Sequence, residues 1–332
     1  LYNKIISKQK EKNKLLAKEL ENFKQMHNIS FHKRLNINNF EIFDVDTIKK
    51  MKSVELFGEG TQSNIYKIIM EDIFALKVLK IDSKTKEKNQ EKINNNCKRF
   101  LHEYEILIKL KHPNIIKTYG FCYGDESMAP SILFEICPYS LNEKVYELTN
   151  VERIKIIYEI SFAMLYVHES KIIHRDLKPS NILLDKNMHV KLSDFGISYW
   201  IDVDTQIKTS NQETLKFIAP ELLKEKNDYD QKVDIYSFGV VLFFILTGGK
   251  YPDINIIDVE NRNKAEIPKE INEISKKLIN DCWSYQPEER PSFDEIIEYI
   301  RSNNFKLING IEKDLDEIKD LVNFLESISF TK

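Results

Sequence analysis

Cysteine is scarce and scattered in this chain of 332 residues: Cys97, Cys122, Cys137 and Cys282 make up the whole set, with no CxxC spacing. That pattern excludes a disulfide framework and a zinc site. It suits reduced thiols in the cytoplasm, with the nucleus equally compatible. A strong charge imbalance is also missing. The formal net charge of −3 gives no global field that would draw the chain to nucleic acid or a membrane surface. No apolar run is long enough to span a bilayer, the longest strongly apolar stretch being 240–246, so no membrane insertion is expected. The first residues are Lys-rich but lack the continuous apolar core of a signal peptide. The chain opens on Leu1 rather than Met, which fits a fragment or a processed form. Internal repeats are absent. What is present is 42% hydrophobic and 30% charged residues, enough to bury a sizeable core, over a length that suits a two-lobed domain.

The stretch around which the rest is organised is Ile173-His174-Arg175-Asp176-Leu177-Lys178-Pro179-Ser180-Asn181-Ile182-Leu183-Leu184. Short apolar strands are expected on either side, so Asp176 and Asn181 are held on a connecting loop by buried flanks. Lys191-Leu192-Ser193-Asp194-Phe195-Gly196 follows shortly after. Two carboxylates and an amide on neighbouring loops suit a divalent cation and a polyphosphate, because Mg²⁺ takes hard oxygen ligands and keeps phosphate and water as the others.

Upstream, Leu56-Phe57-Gly58-Glu59-Gly60-Thr61-Gln62-Ser63-Asn64-Ile65 reads as strand, turn, strand, with glycines that let the backbone approach phosphate oxygens. Phe74-Ala75-Leu76-Lys77-Val78-Leu79 is an alternating strand. Residues 80–99 are Lys-, Asn- and Glu-rich with no apolar period and read as a mobile insertion. Helix is expected over 99–110, with Phe100, Tyr104, Leu107 and Ile108 on one face. Glu103 and Glu105 are both placed to pair with Lys77. An apolar-rich helix is expected over about 151–168.

These residues resemble the catalytic core of the eukaryotic protein kinases. The match to His-Arg-Asp-Leu-x-x-x-Asn followed by Asp-Phe-Gly is complete. The resemblance covers roughly 52–301 and implies an α+β fold with two lobes: a small antiparallel N-lobe (52–137) with one key helix, and a mainly helical C-lobe (138–301). Residues 1–51 would then be a helical extension and linker, with Leu16, Leu20 and Phe23 at helical spacing. Residues 302–332 would be an amphipathic C-terminal helix.

The resemblance also implies the chemistry, which is ATP-dependent phosphoryl transfer to protein substrates with Mg²⁺, or Mn²⁺ in its place. Asp176 would accept the proton of the substrate hydroxyl, and Lys178 would neutralise the transferring phosphoryl. Asn181 and Asp194 would bind the metal. Lys77 would reach the α- and β-phosphates, with Glu103 selected as its partner. Gly58, Gly60, Ser63, Ile65, Ala75, Phe134, Glu135, Cys137 and Leu183 would complete the ATP site, with Phe134 closing the space behind the adenine. Thr205, Thr209 and Ser210 are the candidate phosphorylation sites of the activation segment, and Arg175 would supply a cation for that phosphate. Asp234 would brace the catalytic loop, and Glu221 of Ala219-Pro220-Glu221 would pair with Arg290.

Lys178-Pro179-Ser180 and Thr214 are similar to Ser/Thr kinases. The Trp283 to Phe293 ending, with Tyr236-Ser237-Phe238-Gly239, is similar to the tyrosine-kinase-like group. The chain departs from the family pattern at Ser63, where a third glycine is usual, and at Glu213. Those departures and the amphipathic ends support a different reading, a pseudokinase scaffold in signalling that acts by binding. The intact set Lys77, Glu103, Asp176, Asn181 and Asp194 opposes it. In the tail, Ile308, Ile311, Leu315, Ile318, Val322 and Leu325 form one narrow apolar seam. It is expected to dock on the chain itself or, alternatively, to mediate self-association or partner binding.

Overall fold

A computed structural model of the chain describes residues 52–59, 63–69, 73–80, 90–122, 129–200, 214–223, 229–253, 265–311 and 315–329. Backbone contacts group them into two units divided after Ile136, with Leu110–Ile115 belonging to the second.

The first unit is built on five antiparallel strands: β1 (Lys52–Glu59), β2 (Ser63–Ile69), β3 (Ile73–Leu79), β4 (Thr118–Cys122) and β5 (Ser131–Glu135), in the spatial order β1-β2-β3-β5-β4. Alternation along β3 sorts the side chains onto two faces. Leu76 joins Ile68, Cys122 and Leu133 in an apolar cluster, with Phe74 and Val78 packed beside it. Ala75 and Lys77 lie on the opposite face, in register with Phe134 and Ile132. Helix α1 (Gln90–Leu107) packs on β3 and β4, and Phe100 and Tyr104 meet Phe121 at ring distances of 6.2 and 5.0 Å.

This helix corrects the sequence expectation. It begins at Gln90, not near 99, so the second half of the supposed insertion is helical. The polar run Gln-Glu-Lys-Ile-Asn carries fair helix formers but little apolar pattern, and periodicity alone is blind to it. Cys97, buried three residues before Phe100, extends the apolar stripe by one turn.

The second unit is mainly helical. Strand β6 (Tyr139–Ser140) leads into α2 (Leu141–Lys144), where Ser140 and Glu143 form a capping box. A second box, Thr149 with Glu152, starts α3 (Asn150–Glu169), whose Ile154, Ile157, Ile160 and Met164 are fully buried. After it come β7 (Ile172–Ile173), β8 (Ile182–Leu184), β9 (Val190–Leu192) and β10 (Tyr199–Trp200). β6-β8-β9 form one small sheet, and β7 pairs with β10. Helix α4 (Lys232–Leu246) is buried along nearly its whole length. Around it stand α5 (Glu273–Cys282) and α6 (Phe293–Ser302), the latter capped by Ser292 and Glu295.

The tail departs from a single seam. Asn304, Phe305 and Gly310 take left-handed φ values of 51°, 58° and 83°, so the chain turns before helix α7 (Leu315–Ser329) begins. Ile308 is only half-buried, whereas Ile311, Ile318, Val322 and Leu325 are buried. α7 packs on α3, where Lys155 pairs with Glu317. Arg301 donates to the Tyr158 hydroxyl at 3.0 Å and pairs with Glu326. The seam is thus taken up within the chain. The four cysteines are buried and none is in a disulfide. Among the described residues, no helix is long and apolar enough to cross a membrane.

Candidate active site

In the first unit the Lys77 ammonium donates to both oxygens of Glu103 on α1, at 2.7 and 2.8 Å. Both side chains are largely withdrawn from water, 14% and 4% exposed, so the pair fixes Lys77 at the centre of the sheet face. Ile65 on β2 sits opposite Lys77 in register, and buried Phe134 sits opposite Ala75. At Gly58 an added Cβ would meet Ile65 only at ordinary contact distance, 3.8 Å. The protein's own packing therefore does not demand the space beside Gly58. Ser63 is buried at the start of β2, so it does not face water. The Glu135 carboxylate accepts the Lys117 amide at 2.7 Å. Gly60 lies outside the described residues.

In the second unit the catalytic-loop candidates converge. Lys178 Nζ donates to both oxygens of Asp176 at 2.9 and 2.8 Å. Asn181 Nδ2 donates to the Asp176 carbonyl and to its Oδ2, each at 2.8 Å. Burial pushes the Asp176 carboxyl above the usual carboxylate range, against the opposing pull of Lys178. A tight turn over Pro179–Asn181 sets the spacing, with Pro179 supplying its fixed φ. Ser193 ties the next loop to this one, its amide and hydroxyl both donating to the Asn181 carbonyl at 3.0 and 2.9 Å. Asp194 follows with a left-handed φ of 63°, a conformation that costs energy and persists only where its surroundings over-determine it. Phe195 is fully buried against the His174 ring, 4.6 Å away. Leu183 sits in β8 opposite Lys191, and Cys137 is buried ahead of β6.

The loop backbone hangs from Asp234. This fully buried carboxylate accepts the amides of His174 and Arg175, both at 2.8 Å, and contacts His168 Nε2 at 2.9 Å. Burial alone would raise its pKa. The His168 hydrogen bond, the two histidine charges and the Arg175 amide outweigh that and hold it below the ordinary value. Arg175 itself takes a φ of 68°, so Asp234 stabilises a strained turn. Further along, Arg290 grips Glu221 through two parallel hydrogen bonds of 2.6 and 2.8 Å. Thr205, Thr209 and Ser210 lie outside the described residues, as does the Thr214 side chain.

Two contributors, Asn114 and Glu159, escape a motif-based reading. Asn114 is buried, donates to the Val190 carbonyl at 3.1 Å and accepts the Leu192 amide at 2.8 Å. Glu159 is buried in α3 and holds His189 and the Val190 amide, both at 2.7 Å. The available signal was a charged residue inside an otherwise apolar helical run. His112 is structural: burial and then Lys191 bring it down to about 4, and its Nδ1 accepts the Asn114 amide at 3.1 Å.

The donor set fits a divalent cation. Both amide hydrogens of Asn181 are directed at Asp176, which leaves Oδ1, a hard oxygen, as the end a cation would meet, and Asp194 adds a carboxylate.

The protein kinase domain model matches residues 51–300. A probable serine/threonine-protein kinase of Dictyostelium discoideum is 34% identical over 245 residues, covering 68% of this chain and 18% of that protein. The dual specificity protein kinase pyk3 of the same organism is 31% identical over 285 residues, or 81% and 19%. The serine/threonine/tyrosine-protein kinase HT1 of Arabidopsis thaliana is 33% identical over 262 residues, or 74% and 64%. The chain thus spans about a fifth of the two Dictyostelium relatives and under two thirds of the Arabidopsis one. With the matched segment running through both units and including Lys77, Asp176, Asn181 and Asp194, the chain belongs to the protein kinase domain family.

Proposed function

We propose that this chain is an ATP-dependent protein serine/threonine kinase whose catalytic segment runs over 52–301. The observation that carries the reading is the Asp176 carboxylate, oriented by Lys178 and Asn181 on a loop suspended from Asp234. In the transfer, a Ser or Thr oxygen of a protein substrate forms a bond to the γ-phosphorus while the bond to the β-bridging oxygen breaks. ADP leaves and the hydroxyl proton passes to Asp176. Lys178 offsets charge on the moving phosphoryl, and Lys77, held by Glu103, orients the α- and β-phosphates. Asn181 and Asp194 hold Mg²⁺, which supplies charge neutralisation when bound. Lys178-Pro179-Ser180 favours Ser and Thr acceptors, and Thr205, Thr209 and Ser210 are the proposed sites of loop phosphorylation.

The test is phosphate transfer from labelled ATP to a mixed Ser/Thr/Tyr peptide library, beside Asp176→Asn. The expected result is label on Ser and Thr peptides with the native chain only. Saturable ATP binding without transfer at any Mg²⁺ or Mn²⁺ concentration would replace the enzyme with a binding scaffold.

A further inference from the structure

Glu159 has no part in the chemistry so far described, yet it is the kind of group that needs an explanation. It stands on α3 between Ile156, Ile157 and Ile160, all buried, and its own side chain is 2% exposed. A buried carboxylate is tolerated when its oxygens are hydrogen-bonded. Here one oxygen accepts the Val190 amide at 2.7 Å and the other meets His189 Nδ1 at 2.7 Å. Both contacts fall at the start of β9, while Asn114 grips the same strand through the Val190 carbonyl and the Leu192 amide. The strand runs on through Leu192 to Ser193, which is tied to the Asn181 carbonyl, and to Asp194. β9 is therefore clamped at its base, and the two proposed metal-binding residues lie at its far end.

The clamp has a titratable jaw. The His189 side chain is 47% exposed, so its proton exchanges with solvent. Glu159 on α3 and Asp185 in the β8–β9 turn favour its charged form, and Lys155 on α3 opposes it. Lys155 is in turn paired with Glu317 of α7. The Glu159 hydrogen bond is the largest influence, followed by burial acting the other way, and the net effect raises His189 above 6.5. The contribution of a charged His189–Glu159 pair is therefore fully present below 6.5 and is lost as pH rises through the raised folded value.

We propose that Glu159 is a positioning residue for the metal-binding loop, and that protonated His189 tightens its hold on β9 so that productive Mg²⁺-ATP binding weakens as His189 loses its proton. The activity part of this rests on the kinase reading, whereas the β9 part does not.

Two measurements on the full chain test it, across about pH 5.5 to 8.5, the range in which histidine titrates. The first is KM and kcat for Mg²⁺-ATP with the native chain, His189→Gln and Glu159→Gln. The second is hydrogen exchange of the Val190 amide on the same three samples. In the native chain KM is expected to rise about tenfold towards alkaline pH, the lower end of the effects seen when a second layer of ligand support is removed. His189→Gln should be flat over that window. Glu159→Gln should show the alkaline native KM at every pH and faster Val190 exchange. An alkaline rise in KM that persists in His189→Gln overturns the proposal. So does a Glu159→Gln chain with native KM and native Val190 exchange. If the native chain transfers no phosphate, the kinase reading fails and exchange alone decides: Val190 protection must fall with rising pH in the native chain and not in His189→Gln, which is a half-exposed turn position and folds even where Glu159→Gln does not.

Discussion

Replacing Glu221 by Gln removes one charge and almost no volume, so its cost isolates the electrostatics of a buried pair. The Arg290 side chain is completely buried and its partner is 10% exposed. In the variant the guanidinium keeps its backbone acceptors, Ser284 O and Lys232 O at 2.8 Å, but has lost the carboxylate that compensated its charge. Removing one member of a buried pair costs about 3–5 kcal/mol, and the surviving carbonyls place this case near the lower end, about 3 kcal/mol. For a unit of this size each kcal/mol moves the midpoint by about 2–4 °C, so the melt should drop by about 6–12 °C. The assay is a calorimetric melt, with Glu221→Gln/Arg290→Met beside it. The double variant should regain more than half of the loss, because no buried charge is left without compensation. A single variant melting within about 2 °C of the native chain would refute the reasoning, since a penalty that small belongs to exposed pairs.

Lys77→Met should lower kcat/KM for ATP at least about a hundredfold while Glu103→Gln lowers it about tenfold, as steady-state kinetics would reveal, because the second change mislays the ammonium but does not remove it. Asp176 must be ionised to take a proton, and burial raises its pKa above 3.8, so the rate should fall on the acid side at a pH above that value. Lys178→Met removes the opposing charge and should move this acid limb upward. Asp234 is held below 3.8, so its contribution to stability is present above that pH and is lost as pH falls through its lowered value; Asp234→Asn melts should converge on native ones only in strong acid. Ile318→Ala, at a fully buried position of α7, should cost about 3 kcal/mol in a denaturant titration and leave the mass of the native chain in solution unchanged.

The placement of Asp176 and Asn181 on one loop was legible because its polar groups sit at fixed offsets between apolar strands; the hydrogen bonds of Lys178 and Asn181 to Asp176 were not, since spacing does not say where side chains point. The Lys77–Glu103 pairing needed the family resemblance, since Glu103 and Glu105 are equivalent in composition and only the fold decides between them. The start of α1 was not legible: a polar helical turn and a polar loop look alike when the signal is apolar period. The tail seam had the right residues but the wrong continuity, because the apolar period runs straight through the left-handed turn at Asn304, Phe305 and Gly310. Glu159 and His189 lie 30 positions apart and meet only through packing, so no local pattern announces them.

The most direct measurement of the central claim is the intact mass of the chain after incubation with Mg²⁺-ATP, beside Asp176→Asn treated identically. The account predicts added phosphate on the native chain alone, mapping to Thr205, Thr209 or Ser210. Equal phosphate on the Asp176→Asn chain, in a preparation shown free of other kinases, would contradict the role given to Asp176.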